Sequence, residues 1–533
     1  MLAVDEDSTD DVIGELLRGL EDDVAGCRAA AAALLGVYVK ASQADLGENI
    51  PVVIGALITQ LADADAGAVQ AAWAALGDVT ATLPKDDLHL FVRCVRDAVS
   101  TARDKERRRS RKAATADILV AGFCLPKGLS PVLPIYLHAI LTGGAAEIRE
   151  AAADAIGELV SVTSEESVKP FIIPITGPLI RVISDKFQWQ VKAAILQTLT
   201  IIIAKGGAAL KPFLPQLQTT FVKCLNDSAR TVRMRAAGAL GLLMQLQTRL
   251  DPLCTELLNG LLAGDTDAGV REALMVALRD VICKAGAHIT PPVLERIISS
   301  LQQDMAGLSE EALTARASAL GAASTFAQPA EFDALLATLL TPAGANGDAR
   351  LGRTAALCAL LVAAPARVLA SPAAQRMNEA LRTLATDARA DVRVTAMRAV
   401  GLLLQHALAT GGTHAVCVEL LAAAMRDESS DVRRRALLVL KQAATTAAAE
   451  AVAPLLAALL PQAADALNDR AGPVKLLAER TVRRCCFPAD GGMEAAQAIV
   501  SAAGGPALRG KLTDAVLRRL SKLLDDSEDE AQE

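Results

Sequence analysis

The sequence predicts an all-α solenoid built from about twelve two-helix repeats. Three observations carry this. A valine followed by a basic residue recurs about every 41 residues; apolar residues follow each pair at helical spacing; and the chain is 52% hydrophobic yet only 2% aromatic. A length of 533 residues exceeds one ordinary core. A repeat array avoids that limit because it grows in one dimension. Ala and Leu are strong helix formers and suit closely spaced helices. Prolines fall at helix starts or turns, as in Leu133-Pro134 and Thr290-Pro291-Pro292.

The register comes from the basic member of each pair. It lies at Arg28, Arg149, Lys192, Arg233, Arg271, Arg316, Arg353, Arg393, Arg433 and Lys475, with Gln70 standing in once. An apolar residue sits three positions on, as in Val232-Arg233…Ala236. The step from 70 to 149 spans two periods and hides a degenerate unit near Arg109 to Ala113. Eleven periods between 28 and 475 average about 41 residues, the length of a HEAT repeat.

One unit shows the logic. In Met425 to Ala436 a first helix ends near Met425 and a polar turn follows. Asp431 is placed to cap the second helix. Val432 and Ala436 face inward at i and i+4. Arg433 can reach the turn aspartate of a neighbouring unit. No helix pair buries both its faces alone, so the units must stack.

The expected divisions are residues 1–84, an N-terminal cap and first repeats; 85–300, the central repeats; 301–490, the later repeats; 491–524, capping helices; and 525–533, an acidic tail. In the last helix, Val516, Leu517, Leu520, Leu523 and Leu524 form one apolar stripe. The tail Asp525-Asp526-Ser527-Glu528-Asp529-Glu530 has no apolar anchor, which predicts disorder.

Charge and cysteine usage narrow the function. The net charge is -7 and the pI about 5.5, so the surface as a whole is not built for nucleic acid. The acidic start MLAVDEDSTDD does not read as a leader peptide. Unbroken apolar runs such as Phe171-Ile172-Ile173-Pro174-Ile175 fall short of a bilayer, so no membrane partner is expected. Ten cysteines form no C-x-x-C and mostly follow apolar faces, which predicts reduced core thiols in a cytoplasmic protein. The local exception is Lys105 to Lys112, where Lys105, Arg107, Arg108, Arg109, Arg111 and Lys112 form a basic run. It reads as a solvated helix end or mobile loop, as a contact to RNA or the ribosome or to an acidic protein surface, or as a nuclear-import signal. With no interleaved aromatic residue it does not suggest base stacking.

Catalytic and metal motifs are absent from the sequence. The five histidines are unpaired at metal spacing, and no second pair answers His414 and Cys417. Gly505 to Leu512 has the spacing of a phosphate loop, but Leu512 stands where a hydroxyl is needed. No cofactor, metal or small-molecule substrate is expected, and a scaffold is the default for such a fold. It would not be an enzyme.

Several segments resemble one family. They are Gly122-Phe123-Cys124-Leu125-Pro126-Lys127-Gly128-Leu129-Ser130-Pro131, Glu147-Ile148-Arg149-Glu150, Ile175 to Arg181, Phe187 to Ala194, Leu210 to Thr220, Asp251-Pro252-Leu253 and Arg350-Leu351-Gly352-Arg353. The family is the large HEAT-repeat translational activator of general amino-acid control. The resemblance is most specific over residues 85–300 and collinear to about 480. It implies that this chain corresponds to the C-terminal part of a far longer protein. It also implies docking to the RWD domain of the kinase that phosphorylates initiation factor 2 alpha, with ribosome contacts in other regions. Residues 85–300 would form the docking region. The family's docking segment depends on an arginine, for which Arg93, Arg96, Arg149, Arg181 and Arg233 are candidates, with Lys192 and Arg235 beside them. Phe187 and Trp189 are candidate aromatic anchors; Trp189 reads equally as a core residue. The competing reading is a generic adaptor, such as a nuclear transport receptor or phosphatase scaffold.

Overall fold

The computed structural model describes residues 6–42, 46–110, 118–183, 187–303, 309–341, 346–412 and 415–486. Among these the chain is helical, with no strand. The expected capping helices 491–524, the acidic tail, the loop Gly505 to Leu512, and Arg111 and Lys112 lie outside the described residues.

The chain forms two compact units, residues 1–285 and 286–533. The first unit contains α1 (Glu6–Gly19), α2 (Ala25–Ala41), α3 (Ile50–Gln60), α4 (Ala66–Thr82), α5 (Val92–Ser110), α6 (Leu133–Thr142) and α7 (Ala146–Ser161). It continues through the single turn α8 (Glu165–Val168), then α9 (Ile172–Ile183), α10 (Trp189–Gly206), α11 (Leu214–Cys224), α12 (Arg230–Met244), α13 (Asp251–Leu262) and α14 (Ala268–Ala285). The second unit contains α15 (Pro291–Gln302), α16 (Glu310–Ser324), α17 (Pro329–Leu340), α18 (Gly347–Ala363), α19 (Pro365–Ala370) and α20 (Met377–Ala385). It ends with α21 (Ala390–Thr410), α22 (Ala415–Ala424), α23 (Ser430–Thr446), α24 (Ala449–Asp465) and α25 (Gly472–Cys486).

Each repeat is a helical hairpin whose second helix stacks on the second helix of the next. In the first unit α2 lies on α4, and α7, α10, α12 and α14 follow one another. In the second unit α16, α18, α21, α23 and α25 do the same. The cores between them are aliphatic: Leu35, Leu57, Leu76, Leu240 and Leu440 are fully buried. Each such side chain contributes about 1.5–3 kcal/mol. Small residues let the second helices approach. A Cβ built on Gly36 would sit 2.8 Å from the Ala75 Cα. Gly36, Gly157, Gly241 and Gly401 each lie eight residues after a register position (Arg28, Arg149, Arg233, Arg393), and each presses on the next second helix.

The unit expected to be degenerate has an unusual form, and the position expected for it, near Arg109 to Ala113, falls at the end of a first helix and on residues 111–117, outside the described ones. Its first helix is α5, packed on α3. No helix follows in residues 118–132 apart from a single 3-10 turn, Ala121–Cys124. This segment is held instead by backbone bonds: Val120 N–H donates to Val162 O and Gly122 N–H to Leu61 O. Phe123 is fully buried, and Trp73 Nε1–H donates to Gly128 O. Lys127 takes a positive φ of 60°, turning the chain at Pro126-Lys127-Gly128.

A rung of charge links successive turns. Arg28 pairs with Asp63 at 2.8 Å, Lys192 with Asp227 at 2.8 Å, Arg350 with Asp387 at 2.6 Å, Arg393 with Asp427 at 2.8 Å and Arg433 with Asp469 at 2.6 Å. Each aspartate also accepts the amide two residues on, as Asp469 does from Ala471 and Asp427 from Ser429. Arg393 and Arg433 further donate to the carbonyls of the turn before their own helix. Two readings need correction. Asp431 does not cap α23: it lies inside the first turn and sits 3.7 Å from Arg434, while Asp427 orders the turn. The rung residue of α18 is Arg350, not Arg353, which donates to its own repeat's Thr341 carbonyl.

Two stretches, Trp189–Cys224 and Ala451–Asn468, are long and apolar enough to cross a membrane by length and composition. This corrects the impression given by unbroken runs. About half of each is buried against other helices, which accounts for the apolarity. The described cysteines are free; Cys27 and Cys283 are exposed, against the expectation of core positions. Burial pushes the Cys254 and Cys358 thiols up to about 12.

Arg393→Ala removes a rung that is almost wholly buried, and should cost about 2–3 kcal/mol by urea denaturation of the whole chain. Arg426→Ala, on an exposed side chain, should stay within about 0.5 kcal/mol. The rungs also predict an acid effect. The Arg433 hydrogen bond holds Asp469 below the usual carboxylate range, against the opposing effect of burial. A depressed folded pKa stabilises above the unfolded value, and that stability is lost as pH falls. The gap in stability between the parent chain and Asp469→Asn should therefore be widest near neutrality and close below about pH 4. A gap independent of pH would contradict the pairing.

Candidate docking edge

The turns that open the second helices lie along one edge of the first unit, and most sequence-predicted docking residues sit on or near it. At the start of α7, Arg149 donates to the carbonyls of Ile140 and Leu141. Its guanidinium also lies 4.5 Å over the Phe187 ring. Phe187 comes 38 residues later, in the turn where other rungs place an aspartate. Here a cation–π contact replaces the ion pair. On the next rung Lys192 holds Asp227. Burial would raise the Asp227 pKa, but Lys192 and the Ala229 amide outweigh it and hold the carboxyl low.

Trp189 opens α10 and remains 46% exposed, so it is not a core residue. Arg181, in the last turn of α9, is exposed, as is Arg93 on α5. The remaining candidates are engaged inside the fold. Arg96 forks onto Glu158 at 2.6 Å, with Asp154 at 3.8 Å. Hydrogen bonding to Glu158 raises its already high pKa. Arg233, 8% exposed, donates to the carbonyls of Asp227, Ser228 and Gly269. Arg235 donates to Ala193 O at 2.6 Å.

The basic run behaves in two ways. Arg107 and Arg108 are exposed at the C-terminal end of α5, where cations oppose the helix dipole favourably. Arg109 turns back, pairing with Glu106 and donating to Ala62 O. Lys105 lines a cleft of about 750 Å³ with Leu17, Arg28, Val52, Gln60 and Asp63. Among the described residues no group of three or more His, Cys, Asp or Glu side chains could hold a metal.

Sequence reading named candidate residues but not how they are wired. It missed Phe187 as the partner of Arg149, and Glu158 as the partner of Arg96. One signal was available: an aspartate six residues before the basic register residue, as in Asp227 and Arg233, Asp387 and Arg393, Asp427 and Arg433, and Asp469 and Lys475.

Stacked helical hairpins joined by turn-to-turn rungs, with an exposed tryptophan and arginines along an edge, define a HEAT-repeat scaffold. The family described as stalled ribosome sensor GCN1-like HEAT repeats matches residues 1–127 and again residues 251–533. The N-terminal HEAT repeat of EF3 matches residues 89–240. The chain belongs to the GCN1 family. It is 41% identical to the protein ILITYHIA of Arabidopsis thaliana over 99% of its length, covering 19% of that protein. It is 35% identical to the human stalled ribosome sensor GCN1 over 81% of this chain and 16% of the human protein. Against the eIF-2-alpha kinase activator GCN1 of Saccharomyces cerevisiae the identity is 33%, over 64% of this chain and 12% of the yeast protein. The chain thus spans less than a fifth of the length of these relatives.

The two tryptophans give a direct check on the edge. Trp73 is half-buried and hydrogen-bonded, whereas Trp189 is open to solvent. Emission from Trp73→Phe should lie further to the red and be quenched more strongly by acrylamide than emission from Trp189→Phe. Equal quenching would place Trp189 in the core.

Proposed function

We propose that this chain is a non-catalytic docking module of a cytoplasmic translational regulator. It binds the RWD domain at the N-terminus of the amino-acid-starvation kinase. In the longer protein it would help activate that kinase on ribosomes, promoting phosphorylation of initiation factor 2 alpha. The observation that carries this reading is the exposed Trp189 beside the Arg149–Phe187 stack, with Arg181 at the end of the preceding helix. Tryptophan and arginine dominate binding energy at protein interfaces. The names of the human and yeast relatives, a ribosome sensor and a kinase activator, support the same pathway.

Accessibility orders the candidates. Arg181 and Arg93 are exposed, and Arg149 retains an edge position over Phe187. Arg96, Lys192, Arg233 and Arg235 hold neighbouring repeats together, so changing them would weaken the scaffold before any interface. A second reading, ribosome contact through the α5 run, is favoured by the exposure of Arg107 and Arg108. The generic adaptor reading has no such support, given the family.

Calorimetry of the whole chain with a purified cognate RWD domain tests the proposal. Trp189→Ala and Arg181→Ala should each weaken binding at least tenfold, about 1.4 kcal/mol, with helical content unchanged. Arg107→Glu with Arg108→Glu should leave RWD-domain binding intact. Parent-level binding by both edge variants would reject the edge as the docking site.

A further inference from the structure

The second unit carries a basic stripe that its scaffold does not use. α21, α23 and α25 stack in sequence. Their accessible sides present Arg398, Arg435, Lys441, Arg480 and Arg484. The rung and turn arginines of this unit are committed: Arg350 to Asp387, Arg382 to Glu419, Arg389 to Asp348 and Asp391, Arg393 to Asp427, and Arg433 to Asp469. The stripe lies on the later turns of the second helices, beyond these pairs. Among the described residues Arg398, Arg435, Lys441 and Arg480 make no ion pair or side-chain hydrogen bond, and Arg484 donates to the Thr445 hydroxyl at 3.3 Å. The nearby acids are taken: Asp391 by Arg389, Asp431 by Arg434, and Glu479 is also engaged.

Two of these cations face each other. Arg435 is half-buried, and burial together with the charge of Arg398 disfavours its protonated form. A guanidinium does not lose its proton at accessible pH, so the repulsion persists until an anion arrives. Stacked helices lie about 8–10 Å apart, so the stripe runs roughly 20 Å across three of them. A single strand laid along it would bring several phosphates within reach of these cations. None of the five residues is aromatic, which leaves no platform for bases. A linear array of unpaired arginines in a chain of net charge -7 fits a linear polyanion better than a folded acidic protein, which needs an apolar anchor as well.

We propose that this stripe binds the phosphate backbone of single-stranded RNA without reading its sequence. The site belongs to the second unit, whereas the α10 edge and the α5 run belong to the first, and its existence does not depend on kinase docking. The test is fluorescence anisotropy of the whole chain with a labelled 20-nucleotide oligo(U), titrated with salt. The pair Arg398→Glu and Arg435→Gln, checked for parent-like circular dichroism, should weaken binding at least tenfold. Loss of two phosphate contacts should flatten the log–log salt slope by about 1.4. Arg480→Glu, an exposed site that leaves folding intact, should weaken it independently. Arg107→Glu with Arg108→Glu should change it less than threefold. Unchanged affinity and slope in the stripe variants would overturn the proposal. So would binding of 20-residue poly-glutamate in place of oligo(U), which would assign the stripe to an acidic protein.

Discussion

The rung between one repeat's cation and the next repeat's turn aspartate is the interaction on which the stack depends. A HEAT hairpin has no core of its own, so its stability is borrowed from neighbours. Aliphatic packing supplies most of that energy but is indifferent to small slips along a helix. The rung is directional. Asp427 receives Arg393 across the repeat boundary and Ser429 N–H within its own turn. One carboxylate thereby fixes where a second helix starts and which residue of the previous helix it faces. Glycines eight residues beyond the rung cation then let the second helices close to contact.

The rung is not uniform: Arg233 and Arg271 donate to turn carbonyls in place of a carboxylate, Arg316 donates to the carbonyl of Leu301, and other boundaries depart further. At the α7–α10 boundary an aromatic ring replaces the carboxylate, and a second aromatic residue, Trp189, stays in solvent two positions on. In the third repeat the described residues 118–132 form turns in place of a helix, with Phe123 buried and Pro126-Lys127 exposed, held through Leu61, Val162 and Trp73. Along α21, α23 and α25 arginines accumulate beyond what the rungs require. A regular array makes such irregularities visible because its neighbours show what the unmodified position looks like.

The arginines illustrate why composition is a poor guide to a binding surface. Arg96, Arg149, Arg181 and Arg233 are equivalent as letters, yet they meet a carboxylate, a ring face, solvent and three carbonyls respectively. Removing Arg233 would strip a buried donor from the carbonyls of Asp227, Ser228 and Gly269, whereas removing Arg181 touches an exposed side chain. Interface chemistry and scaffold chemistry use the same side chain, and burial separates them.

The sequence by itself determined the all-α class, the period near 41 residues and the family. These follow from local, repeated chemistry: apolar spacing within a helix, proline at helix starts and a turn aspartate ahead of a valine–basic pair. Tertiary structure decided the partners. Asp63, Asp227 and Asp387 lie 35 to 37 residues from the cations they hold, and Phe187 lies 38 from Arg149. Nothing local distinguishes Arg350 from Arg353 as the rung of α18, because both follow the same helix start and only stacking on the next repeat selects one. Exposure of Trp189 was likewise undecidable from its neighbours. A residue at the first position of a second helix faces either the core or solvent according to how the adjoining hairpin is seated, and that depends on packing between repeats.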